Sequence, residues 1–434
     1  MMKEEMEIPK GWAETTLGEI AKKETLKVNP TDKPNAKFIG MDCIQANSMK
    51  VAFHYSFREF KSSGNWFEKN HVLYGRMRPY LNKVFRANYE GACSGEFIVL
   101  NCKENFYPDY LAYLLHHRDF VRFANSKTSG DRPRISFDEI STYPILLPPL
   151  PEQHRIVSKI EELFSSLDKG IESLKTAQAQ LKVYRQAVLK WAFEGKLTNE
   201  EHNQLVSVDS VALVFDPQPS HRTPEVEPEG IPFVSIKDCD YSTGKIDFNN
   251  ARKVSKTVLK EHIERYSLEI GDFIIGKIGT IGQPIQLTLP QNYTLSANVV
   301  LIQPRRINKK YLFYYFQSSQ IEKEFKKGQS ATAQAAFGIQ KVRALTLNTP
   351  SPSGQQKVVT EIETRLSVCD KIEESISVSL QQAEALRQSI LKKAFEGKLV
   401  PQDPRDEPAG VLLERIRGER ERNISVKKVK AVKL

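Results

Sequence analysis

The chain has 434 residues, of which 40% are hydrophobic and 27% charged, as in globular proteins that bury a core in each of two or three domains. The net charge of +10 is compatible with a polyanionic partner. Five cysteines without a Cys-x-x-Cys pair argue against a disulfide framework and a zinc site. Because no apolar stretch reaches the about 18 residues of a membrane span and Met1–Glu5 does not resemble a signal peptide, we expect a cytoplasmic protein without membrane contact.

Residues 1–151 are expected to form a mixed α/β domain. Short β-rich runs such as Phe97-Ile98-Val99-Leu100 stand among Gly, Asn and Asp turn signals. Between Glu68 and Glu90 no acidic residue occurs, and basic residues alternate with aromatic ones. Such mixtures suit phosphate and base contacts, although a solvated loop is the alternative for each residue. The predicted DNA-binding residues here are Arg76, Arg78, Tyr80, Lys83 and Arg86, together with Ser129, Arg132 and Arg134.

A long helix is predicted for residues 152–197. Pro151 suits a first helical turn, and Gly195 suits the residue after a helix end. Apolar residues recur every seventh position, which indicates a coiled coil; they are Ile160, Leu167, Leu174, Leu181 and Val188. A helix of about 43 residues would be roughly 64 Å long. A helix packed only on its own domain is the alternative.

Residues 198–353 are expected to form a second mixed α/β domain, and residues 354–399 a second long helix. The predicted DNA-binding residues of the second domain are Lys277, Thr280, Lys326, Lys327, Gln329 and Gln334. The tail, residues 400–434, is punctuated by proline, then helical, then basic. We expect this tail to fold back near the N-terminus or to bind a partner.

The two halves repeat one another. Residues 192–197, Ala-Phe-Glu-Gly-Lys-Leu, recur as residues 394–399, about 200 residues further on, and the preceding helix matches without a gap. This period predicts a duplicated domain-plus-helix unit, pseudo-twofold symmetry and a partner with two equivalent surfaces. The predicted fold class is α+β, with two mixed α/β domains separated by two long antiparallel coiled-coil helices.

Over essentially its whole length the chain resembles the specificity subunit of Type I restriction–modification systems. The resemblance rests on residues 147–157 (Leu-Pro-Pro-Leu-Pro-Glu-Gln-His-Arg-Ile-Val), on the repeated Ala-Phe-Glu-Gly-Lys-Leu, and on residues 8–12 (Ile-Pro-Lys-Gly-Trp), which resemble the opening of a target recognition domain. The second half departs from the pattern, because no Pro-x-Gly-Trp follows Asn199 and residues 349–354 replace the usual Pro-Pro-x-x-Glu-Gln.

The resemblance implies a subunit that reads a split target in double-stranded DNA and has no chemistry of its own. It implies two modification (methyltransferase) subunits docked on the helices and two restriction (motor-nuclease) subunits. S-adenosylmethionine, ATP and Mg are expected in those partners, and no cofactor or metal is expected in this chain. The residues it suggests for the subunit interface are Gln153, Arg185, Phe193, Glu194, Gln355, Arg387, Phe395 and Glu396.

Catalytic motifs are not recognisable. The chain has no Asn/Asp-Pro-Pro-aromatic loop for a flipped base and no GxxxxGK[ST] phosphate loop. His116 and His117 are adjacent, so they would point to different faces of a helix and would not chelate one metal. A fused or unrecognised DNA-modifying enzyme or nuclease remains the alternative function.

Overall fold

The computed structural model describes residues 8–102, 106–220, 222–241, 243–277, 282–328 and 338–418. The chain divides into two compact units. The first combines Met1–Ser173 with Ser379–Leu434, and the second is Leu174–Val378. Each unit holds one α/β domain and one end of each of two long helices.

The first unit begins with a mixed set of short strands and helices. Its strands are β1 (Ala13–Thr16), β2 (Ala21–Lys23), β3 (Lys27–Val28), β4 (Lys37–Ile39), β5 (Tyr55–Ser56), β6 (Gly64–Phe67), β7 (Val72–Gly75), β8 (Val84–Arg86), β9 (Gly91–Cys93), β10 (Phe97–Cys102) and β11 (Pro144–Leu147). Its helices are α1 (Leu17–Ile20), α2 (Pro108–His116), α3 (Arg118–Ser126) and α4 (Phe137–Ser141), and the long helix α5 (Leu150–Phe193) begins here.

The second unit contains a related set of strands and helices. Its strands are β12 (Gln204–Ser207), β13 (Ala212–Phe215), β14 (Ile231–Val234), β15 (Cys239–Asp240), β16 (Lys245–Ile246), β17 (Arg252–Val254), β18 (Phe273–Gly276), β19 (Pro284–Gln286), β20 (Thr294–Leu295), β21 (Val299–Pro304) and β22 (Thr346–Thr349). Its helices are α6 (Val208–Val211), α7 (Lys256–Arg265), α8 (Lys309–Gln317), α9 (Ser319–Gly328) and α10 (Ile339–Arg343), and the long helix α11 (Pro352–Phe395) begins here. The pair β15-β16 and the helix α7 have no counterpart among the described strands and α-helices of the first unit.

Sheet topology confirms the internal repeat. The first unit has the sheets β1-β11, β2-β10-β7-β8 and β3-β6-β9-β4-β5, and the second has β12-β22, β13-β21-β18-β19, β17-β14-β20 and the pair β15-β16. Each unit has one parallel pairing, β4 with β9 and β14 with β20, among otherwise antiparallel ladders. The duplicated sequence therefore encodes a duplicated topology.

The most apolar strands are buried on both faces. In β10, Ile98 and Leu100 belong to one core, and the alternate residues Phe97 and Val99 belong to another. In β21, the alternate residues likewise divide between two cores. Because side chains alternate along a strand, only a continuous apolar run can fill both cores, which explains the four successive apolar residues at 97–100 and at 299–302.

The two long helices have 44 residues each. Both end in the same way, with glycine in the left-handed region, at φ 72° for Gly195 and 70° for Gly397. The N–H of Lys196 then donates to the carbonyl of Trp191 at 2.8 Å, and the N–H of Lys398 donates to that of Lys393 at 2.8 Å. These bonds satisfy carbonyls that a helix end leaves unpaired.

Opposite ends of the two helices lie side by side within each unit. In the second unit, Val188 near the end of α5 shares a core with Val358 near the start of α11. Arg185, one turn earlier in α5, contacts Asp370, three turns later in α11. The helices are therefore antiparallel, and of the predicted heptad residues Ile160 and Val188 are buried, whereas Leu167, Leu174 and Leu181 are half-buried.

The described part of the tail folds back on the first unit, which is one of the two expected outcomes. Leu412, Leu413 and Ile416 lie in the core of the first domain. The N–H of Ala409 donates to the carbonyl of Gly11 at 2.9 Å. Among the described residues, no helix is long and apolar enough to cross a membrane.

Candidate nucleic-acid interface

Two arginine-bearing segments of the first unit are joined along their backbones. The N–H of Arg78 donates to the carbonyl of Pro133 at 2.7 Å, and the N–H of Ile135 donates to the carbonyl of Arg76 at 3.0 Å. The structure thereby brings together four of the predicted DNA-binding residues: Arg76, Arg78, Arg132 and Arg134.

A tight turn follows the first of these segments. Pro79–Leu81 form a single turn of 3-10 helix, and the flanking residues Arg78 and Asn82 have left-handed backbones with φ of 52° and 46°. Residues other than glycine adopt this conformation rarely, and mostly in functional loops. Tyr80 lies in this turn and is 50% exposed, so its ring is available for stacking or hydrogen bonding.

The arginines differ in exposure and in whether an acidic residue of the chain pairs with them. Arg134 donates two hydrogen bonds to Glu96, from Nε at 3.0 Å and from Nη2 at 2.9 Å. This hydrogen-bonded carboxylate raises the pKa of Arg134, which stays charged. Arg132 is exposed and has no ion pair with any described residue, and Ser129 beside it in sequence is also exposed. Arg132 is therefore the most available cation of this edge.

Lys83 and Arg86 make contacts within the chain, and their DNA-binding role stays a prediction. The ammonium group of Lys83 donates to the carbonyl of Met41 at 2.6 Å. Arg86 forms a 3.1 Å ion pair with Asp109 at the start of α2. Because Arg86 pairs with Val72 at the beginning of β7, it also lies at the opposite end of that strand from Arg76. These two cations hold the domain together.

Most predicted residues of the second unit cannot be placed in this way. Lys277 is largely buried and forms a 3.1 Å ion pair with Asp216. Lys326 and Lys327 belong to α9, but their side chains lie outside the described part, as do the residues Thr280, Gln329 and Gln334. The roles of these five residues remain predictions.

Sequence reasoning missed a groove in the first unit with a volume of about 470 Å³. Two lysine–aromatic pairs line it. The ammonium of Lys33 lies 4.6 Å from the ring centre of Trp66, and that of Lys37 lies 4.5 Å from the ring centre of Tyr89. Such cation–π contacts hold exposed lysines in place over aromatic faces. The signal was weak because the four residues come from three separate segments.

The glutamines predicted for a subunit interface are instead internal locks. Gln153 accepts the N–H of Tyr107 at 2.9 Å and donates to the carbonyl of Pro148 at 3.0 Å. Gln355 makes the same two bonds, to the N–H of Asn308 at 2.9 Å and to the carbonyl of Pro350 at 3.2 Å. With exposed fractions of 0% and 6%, neither side chain presents a surface to another subunit.

The repeated phenylalanines are also structural. Phe193 packs edge-on against Tyr311 and Tyr315, with ring centres 5.1 and 5.3 Å apart, and is buried. Phe395 packs in the same way against Tyr110, at 5.4 Å. The neighbouring Glu194 and Glu396 pair with nearby lysines, at 2.8 Å to Lys196 and 2.9 Å to Lys398. Glu194 and Glu396 therefore keep their carboxylates near the surface, whereas the phenylalanines before them face the core.

Two arginines of the helices form equivalent ion pairs. Arg185 contacts Asp370 at 2.6 Å and Glu373 at 3.0 Å, both on the other helix. Arg387 contacts Asp168, again on the other helix, and its guanidinium lies 4.6 Å from the ring centre of Phe164. Both arginines therefore join the two helices to one another. Their predicted role in a subunit interface stays a prediction.

Among the described residues, no group of three or more His, Cys, Asp or Glu residues is placed to hold a metal ion. His116 and His117 are both buried. Burial, with a smaller contribution from the nearby charge of Arg387, lowers the pKa of His116 to about 4.

Residues 9–182 and 229–382 match the family model described as the Type I restriction modification DNA specificity domain. The chain belongs to this family. It is 26% identical over 305 residues to the Type I restriction enzyme EcoBI specificity subunit of Escherichia coli, across 63% of this chain and 64% of that protein. It is 25% identical over 427 residues to the StySPI specificity subunit of Salmonella potsdam, across 92% and 83%.

The family's fold extends across the chain. A solved structure from work on complex assembly and conformational transition of the type I R-M system aligns with a TM-score of 0.72 and 19% identity, over 91% of this chain and all of that one. Both matched ranges of the specificity-domain family include sheet residues and the first part of a long helix, whereas the repeated Ala-Phe-Glu-Gly-Lys-Leu lies outside them.

Proposed function

We propose that this chain is the DNA-recognition and scaffold subunit of a Type I restriction–modification complex and carries no catalytic activity of its own. The observation that supports this most strongly is the duplicated domain, with exposed cations and aromatics at loops and internal locks at the helix ends. Rigid elements that position variable loops are the usual basis of recognition. We expect each domain to read one half of a bipartite double-stranded target with an unspecified gap.

The proposed division is two recognition domains at 1–151 and 198–353, helices at 152–197 and 354–399, and a tail at 400–434. The first strand of the second domain begins at Gln204, shortly after the proposed start. The proposed partners are two modification and two restriction subunits, which would carry S-adenosylmethionine, ATP and Mg, in the cytoplasm. Family membership and the resemblance to relatives named as specificity subunits support these partners.

Sequencing of methylated bases in host DNA, with and without this gene, tests the proposal. We expect a methylated bipartite motif that disappears on deletion of the gene and returns with it. If methylation is unchanged by deletion, the recognition role is wrong. A methylation assay on the isolated chain tests the enzyme alternative, because a specificity subunit alone should transfer no methyl group.

A further inference from the structure

A second basic surface lies in the second unit, in a recess of about 320 Å³. Its lining includes three cations and several small polar groups, and no lining residue is acidic. The members that matter here, named the basic recess, are Gln218, Arg222, Lys237, Arg252, Ser296 and Asn298.

The three cations of the basic recess lack partners within the described chain. Arg222 and Lys237 are exposed and Arg252 is half-buried. The Nε of Arg252 is buried without a hydrogen-bond partner among the described residues. Buried polar groups in native proteins are almost always bonded, so this group can accept a partner from outside the chain, and the two cations beside it favour a partner with negative charge.

Buried hydrogen bonds fix both sides of the basic recess. The amide of Gln218 donates to the carbonyl of Arg222 at 3.1 Å and accepts a short bond from Nε2 of His262. The other ring nitrogen of His262 then accepts from the hydroxyl of Tyr266 at 3.2 Å. That hydroxyl oxygen accepts the N–H of Leu295, at the edge of the recess, at 3.3 Å. The chain of bonds holds the cavity open before any ligand arrives.

The first unit has equivalent positions that carry no cation. Strand pairing makes Arg252 equivalent to Tyr55, because Arg252 pairs with Phe233 in β14 and Tyr55 pairs with Phe38 in β4. Lys237 is equivalent to Asp42, since each is the middle residue of the 3-10 turn that follows those strands.

Asn298 and Glu96 are a third pair of equivalent positions. The carbonyl of Asn298 accepts the N–H of Lys277 at 2.9 Å, and the carbonyl of Glu96 accepts the N–H of Arg76 at 2.8 Å. In the first unit Tyr55 donates to Asp42 and Glu96 binds Arg134. The equivalent site is thus acidic and internally paired, so the fold itself does not require the cations of the basic recess.

We propose that the basic recess binds a phosphate group of the DNA backbone, with Arg252 and Lys237 as its principal contacts and Arg222 at its rim. This inference rests on the proposed DNA-recognition function. A phosphate projects from the duplex and enters a concave site, whereas base edges lie on groove floors and are reached by projecting side chains. The hydroxyl group of Ser296 is the kind of small polar group that accompanies cations at phosphate contacts.

The test compares Arg252→Gln and Lys237→Gln with the control Lys253→Gln. Lys253 is the next residue of β17, so its side chain points to the other face and its replacement removes the same charge. Each variant is the full chain assembled with its modification subunits, and binding of a fluorescently labelled duplex is titrated over a salt series. Thermal unfolding verifies that all four proteins are folded.

We expect each recess variant to lower the slope of log affinity against log salt by about 0.9, which is roughly an eightfold loss of affinity near 0.1 M salt. The loss should be equal for duplexes of different sequence, and Lys253→Gln should bind like the parent. Recess variants that bind like Lys253→Gln would overturn the phosphate site. A loss confined to duplexes with one particular base would also overturn it, in favour of a base contact. If the parent complex prefers no sequence, the recognition function fails, but the salt slopes still decide whether the recess holds a phosphate.

Discussion

The two α/β domains are alike where they join the long helices and unlike on the surfaces proposed for DNA. Gln153 and Gln355 make the same pair of hydrogen bonds, and Phe193 and Phe395 pack on equivalent tyrosines. On the sheet side, the acidic residues Asp42 and Glu96 of the first domain stand where the second has Lys237 and Asn298, and the neutral Tyr55 stands where the second has Arg252. Because the hydrogen bonds of Gln153 and Gln355 are internal, the surfaces can change without disturbing the junction between domain and helix. Two domains that read different half-sites would need such different surfaces.

The equivalence of the two domain–helix junctions is tested most strongly at Phe193 and Phe395. Phe193→Ala and Phe395→Ala should each lower the free energy of unfolding by about 3 kcal/mol, because each removes a packed aromatic ring from a domain core. Denaturant unfolding of the full chain measures the loss. Trp191→Ala, at a ring that is 39% exposed, is the control and should cost less than about 1 kcal/mol. A large cost at only one of the two phenylalanines would contradict the equivalence.

The glutamine locks should have the next largest effect. Gln153→Leu leaves the N–H of Tyr107 and the carbonyl of Pro148 without partners, and Gln355→Leu does the same in the second unit. Each should cost about 2–3 kcal/mol of unfolding free energy in the same experiment. The exposed Gln180→Leu is the control. If both glutamine variants behave like this control, the hydrogen bonds of Gln153 and Gln355 do not stabilise the junctions between domains and helices.

Much of this architecture could be predicted from the sequence. The long helices, their glycine ends and the repeat follow from local signals, namely heptads, caps and matching residues. The internal hydrogen bonds of Gln153 could not be predicted, because a repeated residue can be kept for an internal bond as well as for a partner. The basic recess could not be predicted, since Lys237 and Arg252 meet only through sheet pairing between short segments without a strong pattern of their own.

The pH dependence of stability should differ between the equivalent helix ends at His116 and Gln317. Burial lowers the pKa of His116 to about 4 in the folded chain, whereas the residue at the equivalent helix end is Gln317. The unfolded chain takes up the proton below about pH 6.5, so the stability that His116 confers at neutral pH is lost between about pH 6.5 and 4. His116→Gln should remove roughly 2 kcal/mol of the difference between pH 7 and pH 5. Unfolding at both pH values measures it, and an unchanged difference would exclude His116 as its source.

The smallest effect is expected at the DNA surface of the first domain. Arg132→Gln should lower the salt slope of DNA binding by about 0.9, or roughly eightfold in affinity near 0.1 M salt, because Arg132 is exposed and unpaired within the described chain. Arg86→Gln should leave binding unchanged, since Asp109 already neutralises Arg86. Equal losses of DNA affinity for both variants would contradict this prediction. An internal ion pair would then not distinguish a structural cation from a DNA-binding one.

The first domain shares its core with the last part of the chain, and this affects the order of folding during synthesis. Its buried residues include Ile390, Leu391 and Ala394 at the end of α11, and Leu412, Leu413 and Ile416 of the tail. Domains usually fold as they leave the ribosome, from the N-terminus onward. Here the domain that is translated first is completed last, after the second domain has emerged. Until then its open apolar side is a site for chaperones, and truncation of the tail damages the opposite end of the sequence.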